Sequence, residues 1–488
     1  MPKNLVRWLW FALGLVLLAR LITLGLYPLM GTTEPRYAEI ARKMLEKADW
    51  VTPWYDHGVP FWGKPPMSFW GSALTMALFG VNEFAVRLGP FLATLGCLAL
   101  LWAWPGSAGL ALAAALVSLS SLAGFVSAGA VMTDMFMTLG TTACMVAFWR
   151  ALQEGAHSAR WGWVFFVGIA AGLMAKGPVA TVLTGIALGL WLCVAGVMEG
   201  SATAVLRRVW QRLPWVRGSL LAAALTVPWY LLAELRTPGF LNYFIVGEHI
   251  QRFLVSGWTG DLYGQGHAEP RGTIWWFALV GWMPWPVLVP VFGLVVWRKR
   301  KTRAEAAEPV DMTDRQELTY LAAWVLAPLL FFTVARNILP SYVLPGLPAF
   351  GLLVAMLGLR ACRTWAPAGL AWAVALLVPV LVCVGLQMYP GFMDERSQRT
   401  LLKSWTPGEP LVYIEGRPLS ADFYSRGQAV LADKPADMQR WLAGPGMKDG
   451  KPVTLVMERF VYARQPTDRL AGWRVVAEHG GFVMLRKP

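Results

Sequence analysis

The sequence predicts an all-α polytopic membrane protein of about eleven transmembrane helices, with helices lying against its outer face and a small soluble α/β domain at the C-terminal end. Three observations predict it. The 488 residues are 56% hydrophobic and only 15% charged, with a mean hydropathy of +0.48, and a soluble chain of that length would need many more surface charges. Apolar runs of eighteen or more residues recur along the chain, which is the length that crosses a bilayer. Beyond about residue 390 the composition changes, and short strand-like stretches appear.

The first element is "MPKNLVRWLWFALGLVLLARLITLGL". A basic start followed by apolar residues has the look of a signal peptide. The run is long enough to span, and no small-x-small site precedes Tyr27-Pro28, so it reads as a retained first helix. The expected spans are 7–29, 84–104, 108–127, 130–150, 161–176, 178–198, 214–234, 273–297, 316–335, 342–359 and 365–388. Lys3, Arg7, Arg150, Arg160, Arg207, Arg208, Arg212, "RKRKTR" (298–303) and "RACR" (360–363) then all fall on one side. Short loops rich in Lys and Arg stay in the cytoplasm. The N-terminus is therefore expected inside and the C-terminus outside. Residues 1–389 form the membrane domain, with outer loops at about 30–83 and 235–272, and residues 390–488 form the outer domain.

In that tail "PLVYIE", "PVTLVME" and "WRVVAEHGGFVMLRK" read as strands and "ADMQRWLAG" as a helix. Cys97, Cys144, Cys193, Cys362 and Cys383 are scattered through apolar runs, so neither a disulfide framework nor a zinc knuckle is expected. The net charge of +14 belongs to cytoplasmic loops rather than to a nucleic-acid surface. The 27 tryptophans suit the headgroup level of a bilayer.

Charges that do not belong in lipid carry the functional signal. Glu34, Arg36, Tyr37, Glu39 and Arg42 cluster in "EPRYAEIARKML". That stretch has helical spacing, with Ile40, Met44 and Leu45 on one face. It reads as a helix along the membrane surface, with Thr33 as its cap and Pro35 in its first turn. Water-facing charges on such a helix would need no further role. Lys64 lies in "PFWGKPPMSFW", Asp134 in "GAVMTDMFMTLG", Lys176 in "GLMAKGPVA", Glu248, His249 and Arg252 in "VGEHIQRFL", and Arg336 and Tyr342 in "ARNILPSYVLPGLP".

A charge within the bilayer costs about 2.5–3.5 kcal/mol on insertion scales, so such residues pair or line a wet cavity. Singly, Lys176 and Arg336 could snorkel to the interface, Asp134 could cap a helix, and His249 could sit exposed in a loop. Together they all map to the outer leaflet. Four cations beside aromatic walls suit a phosphate with a greasy remainder. Glu34 and Asp134 add carboxylates that could take sugar hydroxyls, an amine or a proton. No GxxxxGKS, HExxH or GxSxG string is present, which argues against nucleotide hydrolysis, zinc proteolysis and serine-hydrolase chemistry. No set of metal ligands stands out, and a divalent cation stays open. A lipid transporter or flippase would also need charges in a membrane cavity. It would be expected to show paired repeats and broken midplane helices, not charges gathered on one side.

The string "EPRYAEIARKML…DWVTPWYDHGVPFWGKPPMSFW…LFGVNEFAVRL" resembles the first outer loop of the aminoarabinose transferase family. That family belongs to the GT-C superfamily of membrane glycosyltransferases and is related to protein O-mannosyltransferases. "MTDMFMT", "GLMAKGPVA", "PWYLLAE", "EHIQRF" and "ILPSYVLPGLPA" match further blocks in order, over roughly residues 5–360. The resemblance implies a GT-C fold in a bacterial inner membrane. It implies transfer of a sugar from a polyprenyl-phosphate carrier, usually undecaprenyl phosphate, to a periplasmic acceptor: lipid A, another glycan or a protein.

Carried over by motif, Lys64 and Arg252 would hold the carrier phosphate, and Lys176 and Arg336 would line the same cavity. Asp134 and Glu34 would face the sugar and serve catalysis. Arg36 and Tyr37 would brace the loop, Glu248 and His249 would support it, and Tyr342 would shape the cavity. Three positions depart from the family pattern: Thr33 replaces an aspartate, Gly63 a glutamate and Ile338 a lysine.

Overall fold

The computed structural model describes residues 3–153, 158–264, 267–302, 312–364, 371–434, 436–437, 441, 452–466 and 469–487. The helices of the first half are α1 (Lys3–Thr23), α2 (Thr33–Lys47), α3 (Met67–Phe79), α4 (Glu83–Trp102), α5 (Ala108–Ser120), α6 (Leu122–Ser127), α7 (Asp134–Leu152), α8 (Ser158–Lys176), α9 (Pro178–Met198), α10 (Ala202–Arg212) and α11 (Trp215–Arg236). A π-helix, Asn242–Gln251, follows.

Eight described helices are long and apolar enough to cross a membrane, nine if the bent pair Thr273–Gly281 and Trp285–Arg298 counts as one span. Of the eleven expected spans, 108–127 appears as α5 and α6, broken where Ser121 caps α6 through Gly124 N. The span expected over 365–388 is a short helix within Trp372–Met388, and its first residues lie outside the described ones.

Close packing of α7 on α8 sets the centre of the molecule. A Cβ on Gly140 would stand 2.6 Å from the backbone nitrogen of Gly172, and one on Gly168 would stand 2.8 Å from that of Cys144. Only small residues permit that approach. The helices run antiparallel, so the first residue of α7, Asp134, meets the last residue of α8, Lys176. Gly177, at φ +85°, then turns the chain into Pro178, the first residue of α9.

The helix expected along the membrane surface forms as α2, but its charges do not face water. Glu39, Arg42 and Lys43 are buried. One side of α2 packs on α3 and α4 through Tyr37, Ile40 and Met44, and Phe423 of the C-terminal domain joins the same cluster. The cap also differs. Thr33 is already helical and Thr32 takes the cap position without a side-chain hydrogen bond. The physical reason for the buried charges is the C-terminal domain, whose Phe423 and Gly427 lie against the α2 face that a lone loop would give to solvent.

That domain carries a five-stranded sheet of order β4-β3-β5-β7-β6, made of β3 (Leu411–Ile414), β4 (Ala429–Ala432), β5 (Val453–Glu458), β6 (Arg474–His479) and β7 (Phe482–Lys487). The first three are mutually parallel, and β7 runs antiparallel to β5 and β6. The three expected strand stretches are present as β3, β5 and the β6–β7 hairpin. Most of "ADMQRWLAG" lies outside the described residues. A two-stranded ribbon, β1 (Trp54–Asp56) and β2 (Val59–Pro60), lies in the first loop.

Candidate active site

The end of the membrane domain bearing α2, Asp134 and Lys176 holds two adjoining cavities. One, of about 330 Å³, is lined by charged and polar side chains. The other, of about 410 Å³, has apolar walls that include Val179, Val182, Ile245, Ile250, Phe253 and Phe331. Lys64, Lys176, Glu248, Arg252 and Tyr342 line both, and so form the boundary between them.

Each boundary residue is held by its neighbours. Lys176 Nζ donates to Asp134 Oδ1 at 2.6 Å and lies 4.2 Å from the centre of the Tyr342 ring. This buried cation therefore has both a carboxylate and an aromatic face. Lys64 Nζ donates to Glu248 Oε2 at 2.7 Å and to the Gly63 carbonyl at 2.5 Å. Arg252 Nη1 donates to both oxygens of Glu248, at 3.0 and 3.2 Å, and lies 3.2 Å from Asp261 Oδ2. Glu248 and Arg252 stand four residues apart at the end of the π-helix, a form that recurs at functional sites. Burial opposes ionisation of Glu248, but Lys64 and Arg252 outweigh it and hold its carboxyl down to about 2.

His249 faces two carbonyls, with Nδ1 2.7 Å from Phe244 O and Nε2 3.2 Å from Lys176 O. Burial lowers its pKa. The ring ties the π-helix to the end of α8. Tyr37 is buried, packed edge-on against Phe61 and Phe69, and burial pushes its hydroxyl well above the usual range. Arg36 lines the polar cavity, and its Nε is buried without a hydrogen-bond partner.

Two expected site residues stand apart from the rest. Glu34 accepts from Arg87 Nε at 2.8 Å and Nη2 at 2.9 Å, and it lines neither cavity. Arg87 also donates to the carbonyls of Leu24, Tyr27 and Pro28. The pair clamps the exit of α1 to the start of α2, and that commitment takes the Glu34 carboxylate away from the cavity. Arg336 also lines neither cavity. Its backbone meets Phe253 O and Glu269 N, where the chain crosses behind the site.

Thr32, Thr33, Asp261 and His267 line the polar cavity as well. Of these, Asp261 and His267 had no sequence signal beyond lying in an outer loop, because only the fold folds that loop over Arg252. Among the described residues no group of three His, Cys, Asp or Glu side chains could hold a metal ion.

Residues 8–244 match the family of dolichyl-phosphate-mannose-protein mannosyltransferases. The undecaprenyl phosphate-alpha-4-amino-4-deoxy-L-arabinose arabinosyl transferase of Erwinia tasmaniensis is 30% identical over 408 residues, covering 78% of this chain and 66% of that protein. Its counterpart in Yersinia enterocolitica is 31% identical over 333 residues, covering 66% of this chain and 54% of that protein. The chain thus spans between about half and two thirds of the length of these curated relatives. In fold, it is similar to ArnT from Cupriavidus metallidurans bound to undecaprenyl phosphate, with a TM-score of 0.76 at 20% identity over 98% of both chains. The apo form of that protein gives a TM-score of 0.74 at 19% identity, over 98% of this chain and 97% of its own. By these matches the chain is an aminoarabinose transferase-like, multi-pass membrane protein, similar in sequence to these arabinosyl transferases and in fold to ArnT.

Proposed function

We propose that the protein is an inner-membrane glycosyltransferase that moves a sugar from undecaprenyl phosphate to a periplasm-facing acceptor. One observation carries this reading: Lys64, Lys176 and Arg252, from three remote segments, stand together where an apolar groove opens into a polar cavity. A polyprenyl chain suits the groove and a phosphate suits the cations at its mouth. The names of the relatives supply the carrier and make 4-amino-4-deoxy-L-arabinose the first sugar to test; lipid A, which the motif resemblance implies, is the first acceptor. The cavity lies at the end of α7 and α8 opposite Arg150 and Arg160, which favours a cytoplasmic N-terminus and a periplasmic C-terminal domain.

In this reading the donor phosphate sits on Lys64 and Arg252, and the sugar extends into the polar cavity. There Asp134 and Asp261 would receive its hydroxyls or amine. The acceptor oxygen attacks the anomeric carbon from the face opposite the phosphate and inverts its configuration. The bond from that carbon to the phosphate oxygen breaks, and its electron pair leaves on the carrier phosphate. Lys64, Lys176 and Arg252 stabilise the charge that develops there. A phosphate acceptor arrives as an anion and needs little help. A hydroxyl acceptor must lose a proton, and Asp134 is the carboxylate at hand. Glu34, held by Arg87, positions α2 and through it Arg36 and Tyr37.

Mass spectrometry of envelope lipids, glycans and proteins from cells with and without the gene tests the proposal. A sugar adduct that disappears with the gene supports it and names the acceptor. Identical spectra argue against it.

A further inference from the structure

Glu248 joins two cations that lie 184 positions apart in the case of Lys64 and one helical turn apart in the case of Arg252. Among the described residues, the side-chain contacts of Arg252 run through Nη1, which leaves its Nε and Nη2 edge toward a ligand. Lys64 has three N–H donors, of which the Gly63 carbonyl and Glu248 take two. Glu248 thus holds both cations without using up their capacity. It also offsets one of their charges. Four cationic side chains and three carboxylates line the polar cavity, leaving one positive charge in excess.

That small excess limits the extra attraction the site gives to a second negative charge. A sugar-bearing carrier is a phosphodiester with a single negative charge. Once the bond to the anomeric carbon breaks, the spent carrier is a phosphate monoester of about −1.5 to −2 at pH 7. Lys64 and Arg252 would grip the spent carrier harder than the donor, which would stall turnover. We propose that Glu248 is a positioning residue whose negative charge lowers the site's preference for the doubly charged spent carrier over the singly charged donor, and so promotes product release. The inference rests on the carrier chemistry proposed above. The low titration of Glu248 keeps it ionised throughout the working pH range. Lys64, Arg252 and the hydroxyl of Tyr243, at 3.4 Å, face its carboxylate, and Asp261 shares Arg252 with it.

The test measures binding of undecaprenyl phosphate and of its methyl diester to the full-length protein in detergent. Glu248→Gln keeps the shape and removes the charge. It should shift the affinity ratio about tenfold toward the monoester, since one unpaired charge at contact distance is worth at least that much. With sugar-bearing donor, the same variant should lower kcat without raising KM. An unchanged ratio, with both lipids weakened together, would overturn the inference and leave Glu248 a tether.

A second measurement varies the pH. Between pH 8 and pH 5.5 the monoester gains a proton while the diester does not. Relative to the diester, the monoester should lose more affinity over that range in Glu248→Gln than in wild type. An equal loss in the two proteins would overturn the inference. If wild-type protein binds neither lipid, the carrier reading itself falls, a result distinct from an unchanged ratio.

Discussion

Asp134 and Lys176 lie 42 positions apart in sequence and 2.6 Å apart in the fold, as a buried ion pair closing the α7–α8 hairpin. Removing one partner strands the other charge. Asp134→Asn should therefore destabilise the protein by about 3–5 kcal/mol, seen as a lower melting temperature in detergent. Asp134→Asn with Lys176→Met should recover most of that loss and still lack transfer. Recovery of transfer in the double variant would show that neither charge serves the chemistry.

Arg252 offers the carrier the Nε and Nη2 edge of a guanidinium fixed through Nη1. Arg252→Ala removes that grip and leaves Lys64 on Glu248. The apparent KM for the sugar-bearing carrier should rise at least about tenfold, the value of one charge-assisted hydrogen bond. An unchanged KM would argue against contact with the phosphate.

Gly140 touches no part of the cavity, yet a side chain there must push α8 away from α7. Gly140→Leu should separate Asp134 from Lys176, and activity should fall by at least about a hundredfold from misplacement alone. Full activity in this variant would mean that the hairpin does not position the site.

The C-terminal domain meets the first loop through Arg417, which lies 2.6 Å from Asp56 Oδ2 and, within its own domain, 3.3 Å from Asp422 Oδ1. Burial pushes the Asp422 carboxyl up to about 7; Arg417 and Lys43 oppose this, while Glu39 and Asp56 add to it. Between about pH 4 and pH 7 the folded protein thus holds a proton that the unfolded chain has released. That contribution to stability is present at the low end and is lost as pH rises through 7. Asp422→Asn should raise the melting temperature relative to wild type, with a gap that widens from pH 5 to pH 8. A gap that stays flat would contradict this.

Much of the fold was legible because membranes impose few options. Long apolar runs predicted the helices, and short strand-like stretches rich in Val predicted β3, β5, β6 and β7. The missed strands are short. β1 and β2 have three and two residues, too few to show a period, and β4 is the four-residue stretch AVLA, whose small alanines give a weaker strand signal than the LVYI of β3. The site was legible as a set of charges too costly to leave in lipid. Lys64, Asp134, Lys176, Glu248 and Arg252 indeed come together. Glu34 resembled them in sequence. Its partner Arg87 sits 53 positions away on α4, and nothing local to either residue announces the pairing. Likewise, Glu39, Arg42 and Lys43 read as a solvated face until the C-terminal domain covers them.

The central claim is that Lys64, Lys176 and Arg252 hold a carrier phosphate from which sugar is transferred. Its most direct test incubates purified wild-type and Lys64→Ala protein with undecaprenyl phosphate-linked aminoarabinose and lipid A in detergent, and weighs the acceptor by mass spectrometry. The account predicts a sugar-sized gain in mass with wild type and a loss of at least about a hundredfold in rate with a folded Lys64→Ala protein. Transfer at the wild-type rate by Lys64→Ala would contradict it.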